Sequence, residues 1–316
     1  MKKKVILDVD TGTDDAIAIM MAVLSQSLEV LGITTVDGNT KLDYCTENTL
    51  RVLDLLGANI PVYEGCQDPI IATLFPGRRL PERHSIPNPI HGRLLDLNKG
   101  NSSVQEKHAV FWLIETILSS EADITIIALA PLTNIAMALR IEPKIKEKIT
   151  EIVIMGGGWQ ISNVTPVAEF NFWADPEAVK IVLHSNIRIT MIPLDATHQA
   201  QVTIDDCHAI TQSTDKVGKK ATEIIEMRMN RHQIHHPDSK RDRVPIHDAL
   251  AVCAVIDEEI IKTKFIHVDI ETGNLLTDGQ SVCDIFGRTR KPPNVHFAYQ
   301  ADEEKFRNMV ITTFRR

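Results

Sequence analysis

Four aspartates lie close together near the start of the chain, in the stretch ILDVDTGTDDAIAIM: Asp8, Asp10, Asp14 and Asp15. Asp14 and Asp15 alone would suit the first turn of a helix, where carboxylates complement the helix dipole. That explanation does not cover Asp8 and Asp10, and neighbouring carboxylates repel one another unless a cation lies among them. The stretch therefore predicts a site for a hard divalent ion. An EF-hand is excluded, because Ile19 occupies the loop position that requires a bidentate glutamate.

A second polar group, Asn163, Glu169 and Asn171, stands in the stretch GGWQISNVTPVAEFNFWADPEA. Aromatic residues make up only 5% of the chain, yet this stretch contains Trp159, Phe170, Phe172 and Trp173. One interpretation is a loop with hydrophobic anchors and capping side chains, which ends where Asp175-Pro176 begins a helix. The other is a pocket in which two amides and a carboxylate bind a polyhydroxylated ligand that carries a flat ring.

A histidine and an aspartate, His247 and Asp248, precede the apolar helical run in PIHDALAVCAVI. Such a pair is most often a helix cap and its neighbour. Asp248 would also place a carboxylate in the first turn of a helix, where it could complete the coordination of a metal ion.

Short β-branched runs alternate with longer stretches of helical period along most of the chain, as in KVILDV before DDAIAIMMAVL and DITIIALA before LTNIAMALRI. This alternation predicts an α/β fold with a single open, mainly parallel, Rossmann-like sheet flanked by helices. Ligands of such sheets bind beyond the carboxyl ends of the strands, so we expect the active site at that edge. We expect one domain over residues 1–316, with loop insertions near 75–103 and 228–246.

Composition and charge limit the class of protein and its partners. The chain has 316 residues, of which 43% are hydrophobic, and a formal net charge of -8, so we expect a sizeable core and no nucleic-acid partner. The five cysteines are widely spaced, which favours a reducing compartment over a disulfide framework. Neither a signal peptide nor a membrane span is predicted, because each apolar run is too short. We therefore expect a cytoplasmic protein with no membrane partner.

Six stretches together resemble the nucleoside hydrolases of the inosine-uridine-preferring type, which are calcium-dependent N-ribohydrolases. The stretches are DVDTGTDDAIAI, DGN, PLTNIAMA, MGGG, NVTPVAEFNFWADPEA and HDALAV. Any one of them alone would be a weak signal, but six in the same order are highly specific. The resemblance implies that the protein hydrolyses ribonucleosides to free base and ribose, uses Ca²⁺ as its cofactor, and assembles as a homodimer or homotetramer.

The resemblance also implies roles for individual residues. Ca²⁺ and the attacking water would be held by Asp10, Asp15, Asp248 and the backbone carbonyl of Leu129. Asp10 would also take the proton of that water, and Asp248 would lie against the substrate. The ribose would be bound by Asp14, Asn39 and Asn171 at the 2′ and 3′ hydroxyls, and by Asn163 and Glu169 at the 5′ hydroxyl.

The resemblance leaves open which residues bind the base. His247 occupies the position at which relatives that cleave purine nucleosides use an imidazole as general acid, while His91, His235 and His236 are the other candidates. The segment from Arg228 to Arg243 has no Tyr or Trp, although relatives often place aromatic residues there to orient the base. Purine and pyrimidine preference therefore both stay open.

Two other functions are compatible with part of the sequence. VILDVDTGT also resembles the Asp-x-Asp motif of haloacid-dehalogenase-type phosphatases, in which Asp8 would be the nucleophile, Asp10 the acid and base, and Mg²⁺ the cofactor. That alternative leaves Asp14, Asp15 and the His247-Asp248 pair unexplained. A non-catalytic nucleoside- or ribose-binding protein would keep the pocket without turnover, but it would not require both Asp10 and Asp15.

Overall fold

The computed structural model describes residues 2–71, 74, 90–121, 123–212, 215–235, 240–273 and 275–315. The strands are β1 (Lys3–Val9), β2 (Leu28–Thr35), β3 (Val62–Glu64), β4 (Val104–Gln105), β5 (Ile124–Ala128), β6 (Ile149–Met155), β7 (Ile189–Ile192), β8 (Gln201–Thr203), β9 (Arg243–Pro245), β10 (Ile261–Ile266), β11 (Val268–Ile270), β12 (Ser281–Cys283) and β13 (Val295–Ala301). The α-helices are α1 (Thr13–Leu24), α2 (Leu42–Leu56), α3 (Ala109–Ser119), α4 (Thr133–Ile141), α5 (Phe170–Ala174), α6 (Pro176–Leu183), α7 (Leu194–Thr197), α8 (Ile204–Thr211), α9 (Lys216–His235), α10 (His247–Ile256) and α11 (Glu303–Phe314).

Nine strands form one sheet in the order β10-β13-β7-β6-β5-β1-β2-β3-β4. All neighbouring pairs in it are parallel except β10 and β13. The chain runs outward from β1 in one direction through β2 to β4, and in the other through β5 to β7. The strand order therefore reverses between β1 and β5, which is where open α/β sheets bind ligands. The prediction of a mainly parallel sheet is confirmed.

Strand β1 supplies side chains to the cores on both faces of this sheet. Val5, Leu7 and Val9 belong to one buried cluster, and Ile6 belongs to the other. This alternation follows from the two-residue period of a strand, and an apolar strand covered on both faces is typical of a parallel sheet. Helix α1 packs against α10 in the first cluster, so the first turns of these two helices lie on the same side of the sheet.

The segment predicted as a loop insertion near 228–246 differs from that expectation. Residues 228–235 continue helix α9, and strand β9 follows at Arg243–Pro245. The helix persists because Ala221, Ile224, Ile225 and Met229 form a buried stripe of helical period. Of the other predicted insertion, 75–89 lies outside the described residues, whereas 90–103 consists of turns and irregular chain. Among the helices that are described, none is long and apolar enough to cross a membrane.

Candidate active site

A cavity of about 1010 Å³ lies at the carboxyl edge of the sheet, beside the point where the strand order reverses. The residues predicted for the site that line it are Asp14, Asn39, Leu129, Asn163, Glu169, Asn171, His247 and Asp248. They come from segments that are distant in the sequence and follow different strands. The structure thus brings together most of the predicted site. Asp10 and Asp15 lie directly beneath this lining and are fully buried.

The turn between β1 and α1 is held by the carboxylate of Asp15. Its Oδ1 accepts a hydrogen bond from the backbone N–H of Asp10 at 3.2 Å, and its Oδ2 accepts one from Gly12 at 2.9 Å. A side chain at Gly12 would collide with the ring of His91, so this turn requires glycine. The sequence places Asp10 and Asp15 five residues apart, and the turn brings them into contact.

Asn39 connects Asp10 to Asp15 from the end of β2. Its backbone N–H donates to Asp10 Oδ2 at 2.7 Å, and its side-chain amide donates to Asp10 Oδ1 at 3.1 Å and to Asp15 Oδ2 at 3.2 Å. Burial and the charge of Asp15 raise the pKa of Asp10 well above its ordinary value. Burial and the charge of Asp14 raise the pKa of Asp15 to about 6. The neutral form of both carboxyl groups is therefore favoured unless a cation lies beside them.

A group that could hold a metal ion is formed by Asp14, Asp15 and Asp248, with one oxygen of each within 4.8 Å of the others. This set differs from the one implied by the resemblance, which has Asp10 in place of Asp14. Burial raises the pKa of Asp248 well above its ordinary value, and the charges of the three other aspartates add to the effect. The donors are all carboxylate oxygens, which suit Ca²⁺ or Mg²⁺ and not a thiolate-preferring metal. The cluster thus fits a hard divalent cation.

The carbonyl of Leu129, at the end of β5, faces the amide of Asn171. Asn171 Nδ2 donates to Leu129 O at 2.9 Å and to Met155 O at 3.1 Å, which ties the ends of β5 and β6 together. Asn171 is therefore a structural link between two strand ends as well as part of the cavity wall.

Glu169 caps helix α5 from inside the cavity. Its carboxylate accepts backbone hydrogen bonds from Gly157 at 2.8 Å, Asn171 at 2.9 Å and Phe172 at 3.2 Å. Burial raises the pKa of Glu169 to about 7, although these three bonds oppose the rise. Asn163 lies on the same wall, where its Oδ1 accepts from the N–H of Phe170 at 2.9 Å. The capping and the ligand-binding interpretations of this stretch are thus compatible.

His247 begins helix α10 and lies at the other end of the cavity. Its Nδ1 is 2.7 Å from the hydroxyl of Thr197, and its ring lies 5.5 Å from that of His198. Burial, followed by the charge of Arg228, lowers the pKa of His247 well below its ordinary value. His91 and His232 line the same cavity, so this end is rich in imidazoles. The side chain of His235 and all of His236 lie outside the described residues.

Asp8 is the one aspartate of the opening stretch that does not line the cavity or touch the carboxylate cluster. Its Oδ1 accepts hydrogen bonds from Thr34 Oγ1 at 2.5 Å and Asn134 Nδ2 at 2.9 Å, and burial raises its pKa to about 7. Its position inside the sheet does not suit the nucleophile of a phosphatase, which must reach the substrate. The structure therefore gives no support to the haloacid-dehalogenase alternative.

Arg228 is a cavity residue that the sequence reasoning missed. It is 3% exposed and forms an ion pair with Asp14, with Nη2 3.1 Å from Oδ2 and Nη1 3.2 Å from Oδ1. The available signal was its place in the buried stripe of α9, where Ala221, Ile224 and Ile225 precede it at helical spacing. A charged residue in such a stripe indicates a buried partner.

Comparison with known proteins finds one family along nearly the whole chain. The family of inosine-uridine preferring nucleoside hydrolases matches residues 5–308. The pyrimidine-specific ribonucleoside hydrolase RihB of Escherichia coli is 36% identical over 310 residues, which cover 98% of this chain and 96% of that protein. Its sequence therefore aligns along nearly its whole length.

Solved structures show the same architecture. The plant nucleoside hydrolase PpNRh1 has a TM-score of 0.89 at 28% identity, covering 100% of this chain and 99% of its own. The purine-preferring ribonucleoside hydrolase from Gardnerella vaginalis has a TM-score of 0.88 at 29% identity, covering 99% and 98%. The chain belongs to the inosine-uridine preferring nucleoside hydrolase family and is a nucleoside N-ribohydrolase.

Proposed function

We propose that the protein hydrolyses the N-glycosidic bond of ribonucleosides to free base and ribose, with Ca²⁺ as its cofactor. The observation that carries this proposal is the buried group of Asp14, Asp15 and Asp248 at the wall of the cavity. Cleavage of the bond gives the ribose oxocarbenium character and leaves negative charge on the base. Carboxylates around the sugar stabilise the first charge, and a proton donor at the base relieves the second.

The metal would be held by Asp10, Asp15, Asp248 and the carbonyl of Leu129, with Asp14 close enough to share in the cluster. When bound, Ca²⁺ would lower the pKa of water and accept oxygen atoms of the ribose as further ligands. Asp10 is the residue we assign to take the proton of the attacking water. Hydrogen bonds from the backbone and the side chain of Asn39 hold its carboxylate in place for this transfer.

The sugar would be fixed from both ends of the ring. We assign Asp14, Asn39 and Asn171 to the 2′ and 3′ hydroxyls, and Asn163 and Glu169 to the 5′ hydroxyl. All five side chains line one cavity, which supports the assignment. Two of them, Glu169 and Asn171, are also fixed by hydrogen bonds to the backbone, so they need little rearrangement when the sugar binds.

We assign His247 as the donor to the departing base. Burial and the charge of Arg228 lower the pKa of His247, so the ring is neutral before substrate binds and must take up a proton before it can act as an acid. In the protonated ring, Nδ1–H would donate to the Thr197 hydroxyl, 2.7 Å away, and the proton on Nε2 would be the one given to the base. Negative charge that develops on the base would favour this transfer.

We propose further that pyrimidine nucleosides are the better substrates. RihB, the 36% identical relative, carries the name pyrimidine-specific, whereas the purine-preferring structure is 29% identical. Apart from histidines, the described lining of the cavity contains a single aromatic side chain, Phe170. The second ring of a purine base would therefore have little aromatic surface on which to stack.

The test is a panel of uridine, cytidine, inosine and adenosine, each assayed with and without a calcium chelator, with p-nitrophenyl phosphate as control. We expect hydrolysis of the ribonucleosides that the chelator abolishes and added Ca²⁺ restores, with higher kcat/KM for uridine and cytidine. Release of phosphate from the control substrate would support a phosphatase instead. Tight nucleoside binding without turnover would support the non-catalytic alternative.

We also propose that the enzyme acts in the cytoplasm as a homodimer or homotetramer. The five cysteines are unpaired in the structure, which suits a reducing compartment. Sedimentation of the purified protein tests its assembly.

A further inference from the structure

Arg228 is a buried cation on the cavity wall to which the proposed reaction assigns no role. Its guanidinium contacts three acceptors in two distant segments. Nε donates to the carbonyl of Pro245 at 3.0 Å, Nη1 donates to Thr13 Oγ1 at 3.0 Å, and both Nη atoms pair with Asp14. Arg228 therefore joins the first turn of α1 to the segment that leads into α10.

The pairing with Asp14 is bidentate and shielded from water. The side chains of Arg228 and Asp14 are only 4% and 6% exposed. Two parallel hydrogen bonds to one carboxylate fix both its position and its plane. A single contact would leave the plane free to rotate. The carboxylate of Asp14 is thereby held in one orientation in the wall of the cavity that it lines.

The contact with Pro245 fixes a second part of the site. Pro245 lies two residues before His247 and three before Asp248, and its carbonyl accepts from Nε of the same guanidinium. Arg228 therefore links Asp14 to the segment that leads into α10, in addition to the direct packing of α10 against α1. His91 stabilises the same turn of α1, because its Nδ1 accepts a hydrogen bond from the N–H of Thr13 at 3.1 Å.

We infer that Arg228 is a positioning residue, which orients the Asp14 carboxylate toward the ribose and holds the start of α10 beside it. This inference rests on the proposed function, in which Asp14 binds a ribose hydroxyl. Arg228 also offsets the charge of Asp14 within a cluster of four buried carboxylates. It should therefore assist sugar binding while opposing, through its own charge, the binding of a metal cation nearby.

The test compares Arg228→Met and Arg228→Lys with a matched variant, Arg307→Met. Arg307 forms a bidentate pair with Asp206, at 2.8 Å for each contact, but does not line the cavity. We expect Arg228→Met to lower kcat/KM for uridine about 10²-fold, the scale of loss from a small misplacement of a catalytic group. Arg228→Lys should recover part of the loss, because an ammonium can make one of the contacts. Arg307→Met should keep the wild-type value.

A double-mutant cycle separates positioning from a purely structural role. If Arg228 acts through Asp14, Arg228→Met should reduce kcat/KM much less in the Asp14→Asn background than in the wild type. Binding of Ca²⁺ alone, measured by titration calorimetry, should be retained or tightened in Arg228→Met. Equal losses in the two backgrounds, or loss of Ca²⁺ binding by folded Arg228→Met and Arg228→Lys, would overturn the inference.

If the proposed function is wrong, the wild type itself hydrolyses none of the nucleosides. Uridine binding, measured by calorimetry, then replaces turnover as the readout of the double-mutant cycle. Weaker uridine binding in Arg228→Met, absent in the Asp14→Asn background, would still support positioning. Unchanged binding in both backgrounds would contradict it.

Discussion

Asn39 donates two hydrogen bonds to the carboxylate of Asp10, one from its backbone N–H at 2.7 Å and one from its side chain at 3.1 Å. Each oxygen of Asp10 thus has a fixed donor, while the carboxylate stays close to Asp15. A base held in this way needs no reorientation before it accepts a proton. DGN begins two residues after the end of β2, and it reaches Asp10 because the end of β2 lies beside the end of β1.

Replacing Asp10 with Ala should lower kcat for uridine by several orders of magnitude, because it removes the assigned base and a metal ligand together. The thermal stability measured in chelator should not fall in proportion, because one of several mutually repelling carboxylates is lost. Asp54→Ala is the control, since Asp54 accepts hydrogen bonds from Gly100 and Ser102 away from the cavity. Ordinary turnover by Asp10→Ala would refute its assignment.

Replacing His247 with Ala should lower kcat for nucleosides by roughly 10²–10⁴, the usual contribution of a general acid. The loss should be far smaller on p-nitrophenyl riboside, whose leaving group needs no proton. Because the ribose contacts are untouched, KM should change little. Equal losses on both substrates would show that His247 supports the fold or places the sugar. In that case His91, His198 or His232, which line the same cavity, would be tested next as donors.

Because of Glu169 and Asn163, the enzyme should hydrolyse 5′-nucleotides poorly. A carboxylate beside the 5′ position repels a phosphate, so kcat/KM for uridine 5′-monophosphate should be lower than for uridine by about 10² or more. Because the pKa of Glu169 is raised to about 7, its carboxyl is mostly neutral at pH 6 and mostly charged at pH 8. The preference for uridine over uridine 5′-monophosphate should therefore increase from pH 6 to pH 8, and Glu169→Gln should remove this increase. Similar rates on both substrates in the wild type would show that Glu169 does not face the 5′ hydroxyl.

Asp269 should stabilise the fold in a pH-dependent way. Burial raises its pKa, but hydrogen bonds from the Ile270 N–H, His184 and Lys180 outweigh that effect and lower the pKa from 3.8 to about 2. A lowered pKa in the folded state gives stability that is present above pH 3.8 and fades as the pH falls toward 2. Asp269→Asn should therefore reduce the free energy of unfolding by about 1–2 kcal/mol at pH 7.

Urea denaturation at pH 7 and at pH 3 measures this effect, with Glu29→Gln as the control, because Glu29 is an exposed residue near the start of β2. The difference between Asp269→Asn and the wild type should narrow at the lower pH. A difference that stays constant across this range would mean that the ion pairs with Lys180 and Lys291 do not govern the stability.

The sequence alone was sufficient to predict a mainly parallel sheet and to name polar residues from several strand ends that line one cavity. Strand β1 is apolar on both faces, α1 carries a stripe of Ile17, Met20 and Met21, and polar residues follow the strands. These features are local, because strand and helix periods come from neighbouring residues. The parallel arrangement then requires strand ends to meet at one edge, which gathers the polar residues without further information.

Only the tertiary structure decided which charged groups lie against one another. Arg228 and Asp14 are 214 residues apart in the sequence, and their contact depends on how α9 packs across α1. Likewise, the grouping of Asp14 with Asp15 and Asp248 depends on the placement of α10 beside α1. Such contacts are set by side-chain direction and by helix packing between segments far apart in the sequence. A local sequence motif predicts neither of these.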